Sequence, residues 1–510
     1  MTLNYQPIQS IEIDEQGIGR FRVDPLTRTA SPLTLDALID FADRRVISAQ
    51  VERRAAWRPA RMVIGRPPTD AAPLVSRSRG TGSAAHAISS VMALEMAYQS
   101  APPPLAIMTR GLGAAAELIA AHIRQLFLTA GPDYSEAAIS RTNLKMWRDA
   151  QAVRAPGKVF HGYGSIADIM RGMNPVGGHL YRESLHLMRV ACEIATLLFG
   201  KYPHPSAIFP AGMGIVASKE LYQQVLARFN QLLDYAKKVA AIWDDLVGFF
   251  YHSDERFGRV GQSEKGFLSL GLWDDPEACD GTMANASQWG LKRYSTPGMV
   301  IDRKLTMTSL TGIRTALEEG RREHLESGPL ARLSVTALGG KFRNEFIECQ
   351  HKRDEWSLMF DLPEFETPAI FLRWQFPARA NALERNRARA YQIGYASLVG
   401  LTYLRKAFES LNRGEKAMSI RYRTPIAASG SGFWEEALGS VRHEVTIAAR
   451  RIDTYRVITP DSWLQAETDS PRRLGAIEQA LVNTPLVEEF ATPETFTGID
   501  LLRVIRSFDA

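Results

Sequence analysis

From Ser218 to Phe250 the apolar residues recur at i, i+3 and i+4 spacing, and no proline interrupts them. A stripe of that length is expected of a helix buried in a bundle. It constrains the fold more than any other stretch, because long partners are needed to cover it. Four other segments have the required periodicity: Ser83 to Tyr98, which follows Gly80 and Gly82, then Leu105 to Ala130, Arg182 to Phe199 and Ala378 to Leu411. Strand signals are short and peripheral. Ile11-Glu-Ile-Asp14 and Arg20-Phe-Arg-Val23 alternate around Gly17 and Gly19, which predicts a hairpin. The stretch from Ser253 to Glu318 reads as strands and loops. Met418 to Tyr422, Val445 to Ala448 and Thr454 to Thr459 read as antiparallel strands, and Arg472 to Leu481 and Ile499 to Ile505 as short helices.

No internal repeat or low-complexity linker divides the chain. The expectation is one domain over residues 1–510 of α+β class, mainly α: a long-helix bundle with small antiparallel sheets. Within it lie a small N-terminal sheet at about 10–24, a helical body at about 82–250, and a second helical block with a C-terminal sheet at about 378–510.

Charge excludes little. Lys and Arg number 61 against 56 Asp and Glu, and the basic residues look scattered, so no nucleic-acid partner is expected. Cysteine excludes more. Cys192, Cys279 and Cys349 are far apart with no C-x-x-C pair, which argues against a zinc site, an iron–sulfur cluster held by this chain or a disulfide framework. The first residues lack a basic region followed by an apolar run, so the chain is expected to carry no signal peptide of its own and to be cytoplasmic or co-exported with a partner. Arg110, Glu117, His122 and Arg124 interrupt the most apolar segment, so no transmembrane helix is expected there.

Motifs in a fixed order carry the functional signal. They run Gly65-Arg-Pro-Pro-Thr-Asp70-Ala71; Arg77-Ser-Arg79-Gly80-Thr-Gly82-Ser-Ala-Ala-His86-Ala87; Lys201-Tyr-Pro203-His204-Pro205 with Gly212; and Gly266-Phe267-Leu-Ser-Leu-Gly271. Gly328-Pro-Leu-Ala-Arg332-Leu333, Gly430-Ser-Gly432-Phe-Trp-Glu435-Glu-Ala437-Leu-Gly439 through His443, Tyr455 to Trp463, and Arg506-Ser-Phe-Asp509 follow. This series resembles nickel–iron hydrogenase large subunits over roughly residues 11–509. The resemblance implies that fold and a partnership with an iron–sulfur small subunit.

The departures from the pattern decide the expected function. The family holds a nickel and an iron with two C-x-x-C pairs, because soft thiolates suit that site. The first pair matches Arg79 and Gly82. The second would follow Asp509, where this sequence reads Ala510, so none is expected. A guanidinium repels a cation and glycine offers no ligand. The family's arginine over the metals matches Leu438. Its proton-relaying glutamate matches Ile18, which cannot exchange a proton, and a glutamate at a second, structural metal falls at Ala60.

The remaining polar positions have plain structural readings. His86 is expected to be hydrogen-bonded on its helix, His204 to sit in a proline-flanked turn, and His443 to cap a strand. Gly430-Ser-Gly432 lacks a P-loop lysine, and the Arg379, Arg385, Arg387, Arg389 run reads as a solvated helix face. Arg79, Gly82, His86, Leu438, Ile18 and Asp509 thus mark a remnant cofactor cavity with no metal and no catalytic residue, and His204 and Phe267 a partner interface.

The chain is therefore expected to be a catalytically silent subunit of a redox complex, not a hydrogenase on its own, with no cofactor of its own. Iron–sulfur clusters are expected in a partner, with further redox subunits in the assembly. The family's relative in respiratory complex I, which has lost its metal cysteines and helps form a quinone site, is a precedent. The alternatives are a scaffold in hydrogenase maturation, or an enzyme that uses the re-purposed cavity, for example for a quinone.

Overall fold

The computed structural model describes residues 11–30, 32–53, 60–78, 80–263, 266–276, 293–307, 325–339, 347–353, 355–460 and 474–509. The predicted helices are present with shifted ends: α1 Ser83–Tyr98, α2 Pro104–Arg124, α3 His179–Phe199, α4 Lys219–Ser253, and α6 Ala382–Asn412 after the shorter α5 Pro329–Gly339. A buried C-terminal helix, α7, covers Ile499–Ser507. The shifts follow capping chemistry. Ser218 accepts the Leu221 N–H at 3.2 Å and starts α4, and Asn381 accepts the Glu384 N–H at 3.0 Å and starts α6.

Helices α2, α3, α4 and α6 pack on one another at the centre. Glycine sets the closest approaches, since a Cβ on Gly113 of α2 would run into the Phe199 ring of α3, and one on Gly400 of α6 into the Phe229 ring of α4. One cluster of buried apolar side chains runs through this bundle, from Phe21 to Phe508. The segment Pro104–Thr129 is long and apolar enough to cross a membrane, but 94% of its most apolar window is buried in the interior. Its last turn, Gln125–Thr129, widens to a π-helix that meets the C-terminal helix, where Gln125 hydrogen-bonds the Arg506 carbonyl.

The sheets are small and antiparallel except where Glu326–Ser327 pairs in parallel with Phe267–Ser269, and two of them exceed the expectation. The predicted N-terminal hairpin, β1 Glu12–Ile13 and β2 Ile18–Val23, is half of a four-stranded sheet completed by β3 Leu33–Asp40 and β4 Arg45–Arg53. A meander of β5 Ile347–Lys352, β6 Glu355–Leu362 and β7 Ile370–Gln375 was not anticipated. The C-terminal sheet orders β8 Ala428–Glu435, β9 Ser440–Ala448 and β10 Arg451–Ile458. Met418 to Tyr422 is not a strand; Ser419 makes only an isolated bridge to Gly212. Of Arg472 to Leu481, Ala476–Leu481 is helical, and residues 472 and 473 lie outside the described set. Of 253–318, Glu255–Arg259 forms a 3-10 turn and short strands lie at Phe267–Ser269, Leu272–Asp274 and between Arg293 and Met307, with 264–265, 277–292 and 308–318 outside the described set.

Gly430 and Gly432 form no loop. Both lie on β8, directly beneath α1, where a Cβ on Gly430 would stand 2.8 Å from the Ala97 nitrogen and one on Gly432 2.7 Å from the Ala93 nitrogen. The bare strand lets α1 lie against the sheet at backbone distance, which places the N-terminus of α1 beside the β8–β9 turn.

Candidate functional site

The site is built where α1 begins. Gly82 precedes the helix at φ +86, a left-handed conformation that suits glycine. The first N–H groups of a helix lack intrahelical partners, and Glu117, reaching across from α2, supplies acceptors. Its carboxylate takes the Ala84 N–H at 2.8 Å and the Ser83 hydroxyl at 3.1 Å. Burial nevertheless pushes the Glu117 carboxyl above the usual range, against the lowering effect of these donors.

Opposite Gly82, the β8–β9 turn presents Glu435 and Glu436. The Glu436 side chain fills the space next to Gly82, its carboxyl carbon 2.9 Å from where a Cβ would stand. Glu435 turns the other way and forms a fully buried ion pair with Arg332 of α5. It also accepts the Leu270 N–H at 2.6 Å and the Ser440 hydroxyl at 3.0 Å. Arg332 spends its other donors on Gln392 and on the Glu436 carbonyl at 2.8 Å. Gln392 in turn takes His122 of α2 at 3.1 Å; because its oxygen also accepts from Arg332, the His122 Nε2 is the donor. Burial, reinforced by Arg389 and Arg332, holds His122 neutral, far below the usual imidazole range.

What remains open is a cavity of about 20 Å³ between Gly82, Ala85, Glu117, Trp434, Glu436 and Ala437, room for about one water. One turn further along α1, His86 starts a buried chain of hydrogen bonds. His86 Nδ1 meets His443 Nε2 at 2.9 Å, His443 Nδ1 meets the Tyr455 hydroxyl at 2.8 Å, and that hydroxyl donates to Ser90 at 2.8 Å. Burial and the neighbouring His86 hold His443 well below the usual imidazole range.

Of the expected positions the structure places Gly82 on this cavity, with His86 one turn away on the same helix, and separates the others. Arg79 lies outside the described residues, as does Cys279. Leu438 is buried in the β8–β9 turn but does not line the cavity. Ile18 pairs with Asp40 in the N-terminal sheet, which contributes nothing to the cavity wall. Asp509 is buried at the end of α2, where it takes Arg124 at 3.0 and 3.2 Å. Ala60 opens a short helical turn, Ala60–Val63. Cys192 and Cys349 are half-buried on α3 and β5.

The structure gives four of the expected features a different setting. Phe267, expected on a partner face, lies in a strand between two others of a four-stranded sheet and packs edge-on against Phe376 at 6.0 Å, so its ring is covered within the chain. His204, expected at the same face, is only half-buried, but its N–H donates to Ser83 at 3.1 Å and its Nδ1 meets the Ser76 carbonyl at 3.1 Å; it props the entrance to α1. The arginine run on α6 is not a solvated face, because Arg385 and Arg389 are buried, Arg385 in an ion pair with Glu326 at 2.8 Å. His443 is mid-strand rather than a cap, paired with Gly432 and Val457. The residues that reading the sequence missed are Glu117, Glu436, Gln392 and His122. For Glu117 and His122 a signal existed: polar groups inside an otherwise apolar helix that must be buried.

A family model described as nickel-dependent hydrogenase matches residues 60–143 and 320–510, more than half of the chain. The chain belongs to the nickel-dependent hydrogenase family. It superposes on a solved chain of the Actinobacterial-type NiFe-hydrogenase from Ralstonia eutropha H16 with a TM-score of 0.91 and 30% identity, over 96% of this chain and 98% of that one. Among curated relatives, it is similar to an uptake hydrogenase large subunit from Cupriavidus necator (22% identical, covering 98% of this chain and 95% of that one). It is also similar to a periplasmic [NiFeSe] hydrogenase large subunit from Desulfomicrobium baculatum (21%, covering 97% and 94%). The α+β, mainly helical architecture is that of hydrogenase large subunits.

Proposed function

We propose that this hydrogenase-family chain retains the large-subunit frame without a nickel–iron centre and serves as a silent subunit of an electron-transfer complex, beside an iron–sulfur small subunit. The observation that carries the reading is the pairing of Gly82 with Glu436. At a position that matches a metal thiolate in the family stands a glycine, and a carboxylate side chain fills the adjoining space.

The residues present do not fit the metal pair that the family implies. A nickel–iron centre needs several soft, anionic sulfur ligands converging on one point. Neither Cys192 nor Cys349 lines the cavity, and the Cys192 thiol is pushed up by burial, which disfavours the thiolate. Among the described residues no group of three or more His, Cys, Asp or Glu side chains is placed to hold a metal ion. Arg332, Gln392 and Glu435 are committed to one another, which suits a fixed frame better than a changing set of ligands.

The relatives are named large subunits, which supports a smaller partner for this chain as well. Affinity purification of the full chain from its own cells tests the assembly. An iron–sulfur protein at stoichiometric amounts, with its visible absorption, supports the reading. Recovery with a hydrogenase maturation factor, or of the chain alone, overturns it in favour of a scaffold or an independent enzyme.

A further inference from the structure

The basic residues that look scattered in the sequence gather on one face once the chain is folded. The tip of the β9–β10 hairpin carries Arg450 and Arg451, with Arg456 further along β10. On one flank lies residues 60–70: Gly65 N–H donates to the Ile452 carbonyl at 2.7 Å, Ile452 N–H to the Arg66 carbonyl at 3.0 Å, and Arg451 Nη1 to the Gly65 carbonyl at 2.9 Å. That segment adds Arg61 and Arg66. On the other flank Arg450 N–H donates to the Ile426 carbonyl at 3.1 Å, and the chain leading to Ile426 adds Lys416, Arg421 and Arg423. The acids in these three segments are Asp70, Glu415, Asp453 and Glu444, the last within 3.8 Å of Arg456. Eight exposed cations therefore stand against four acids there.

Aliphatic side chains protrude among these cations. Ile426 is 66% exposed, Ile64 51% and Met62 40%. Met62 and Ile64 stand on one flank of the hairpin tip and Ile426 on the other. Among the described residues of this face, the Tyr422 ring is stacked on Tyr98 with centroids 5.2 Å apart, and one of its faces is taken.

We propose that this face docks on an anionic phospholipid bilayer. Aliphatic side chains flanked by guanidinium groups match a membrane interface, where apolar tips reach the acyl boundary and cations meet headgroup phosphates. Single-stranded nucleic acid would call for free aromatic faces on which bases stack. An acidic protein would satisfy the charges but leave apolar tips on opposite flanks of the hairpin without a continuous patch to bury them. Each basic residue near an anionic leaflet contributes about fivefold in affinity.

The test uses the full-length chain and sedimentation with large vesicles of phosphatidylcholine, with or without phosphatidylglycerol. Binding is expected only with phosphatidylglycerol, and should be lost at about 0.5 M salt, where the screening length falls well under ~8 Å. The Arg421→Glu/Arg450→Glu variant should bind at least tenfold more weakly with an unchanged melting temperature, and Arg421→Lys/Arg450→Lys should bind as the parent does. Independently of these variants, Ile426→Trp should show an emission blue shift on adding the anionic vesicles. Equal binding to both vesicle types, full binding by the charge-reversed variant, or no shift in Ile426→Trp overturns the proposal. Binding to duplex DNA or poly-glutamate in place of vesicles also overturns it, and assigns the face to a different partner.

Discussion

Gly82 and Glu436 share a space that only one of them can occupy. The carboxyl carbon of Glu436 is 2.9 Å, and its Cβ 3.0 Å, from the point where a Cβ on residue 82 would stand. Glu436 is buried, so it cannot swing out to solvent at low cost. Gly82→Ala should therefore destabilise the chain by about 2–4 kcal/mol, the sum of overpacking and a left-handed φ for a residue with a Cβ. Glu436→Ala should restore the overpacking part and leave about 1 kcal/mol of backbone strain. A double-mutant cycle by denaturant unfolding with no coupling between the two positions would contradict this packing.

Arg332 and Glu435 form the ion pair nearest the cavity, and both side chains are fully buried. Arg332→Met would leave the Glu435 carboxylate without its counter-charge, with an expected cost of about 3–5 kcal/mol. Arg332→Met/Glu435→Gln removes both charges and should recover a large part of that loss. Thermal and denaturant melts distinguish the outcomes, and a double variant as unstable as the single one would show that the pair does not act as a unit.

The seat of α1 on β8 gives a sharper contrast. Alanine at Gly430 or Gly432 drives a methyl group into the backbone of α1, so about 3 kcal/mol or more should be lost, since neither backbone can give way as a side chain can. Ser429→Ala, at an exposed position on the same strand, should change stability by less than about 0.5 kcal/mol. Comparable losses at all three positions would place the helix elsewhere.

The long helices were legible because a buried stripe at 3.6-residue spacing leaves a direct trace in sequence. The four-stranded extent of the N-terminal sheet was not. In Leu33–Asp40 the burial pattern runs through three consecutive buried residues before it alternates, so the period-2 signal is broken. Gly430-Ser-Gly432 was visible as a motif, but not as a seat for a helix some 340 positions earlier, because close backbone approach is a tertiary fact. The site divides in the same way. Gly82 and His86 could be read from their motif, while Glu436, the neighbour that gives Gly82 its meaning, passed as one more acid in a turn. The basic face was missed for the same reason: its three segments come together only through the sheet and its flanking loops.

Buried His443 sets a pH signature. Its folded pKa lies well below the ordinary value near 6.5 because burial and His86 oppose its protonation. The unfolded chain therefore takes up the proton first, and the stability that His443 contributes is present above about pH 6.5 and lost as pH falls below it. His122, also held low, acts with the same sign; Glu117, held high, acts with the opposite one. The clean measurement is the difference between the parent and His443→Gln. Below about pH 6.5 the parent should lose up to about 1.4 kcal/mol per pH unit more than the variant. Parallel stability curves would mean that His443 takes up a proton in the folded state.

The proposed silent subunit keeps a hydrogenase large-subunit frame and holds neither nickel nor iron. Elemental analysis of the full chain, purified anaerobically with its partners from nickel-supplied cells, tests this most directly. The expected result is no nickel, iron only in the amount that the partner's clusters explain, and no hydrogen-dependent dye reduction. About one nickel per chain, or hydrogen uptake by the same preparation, would contradict it.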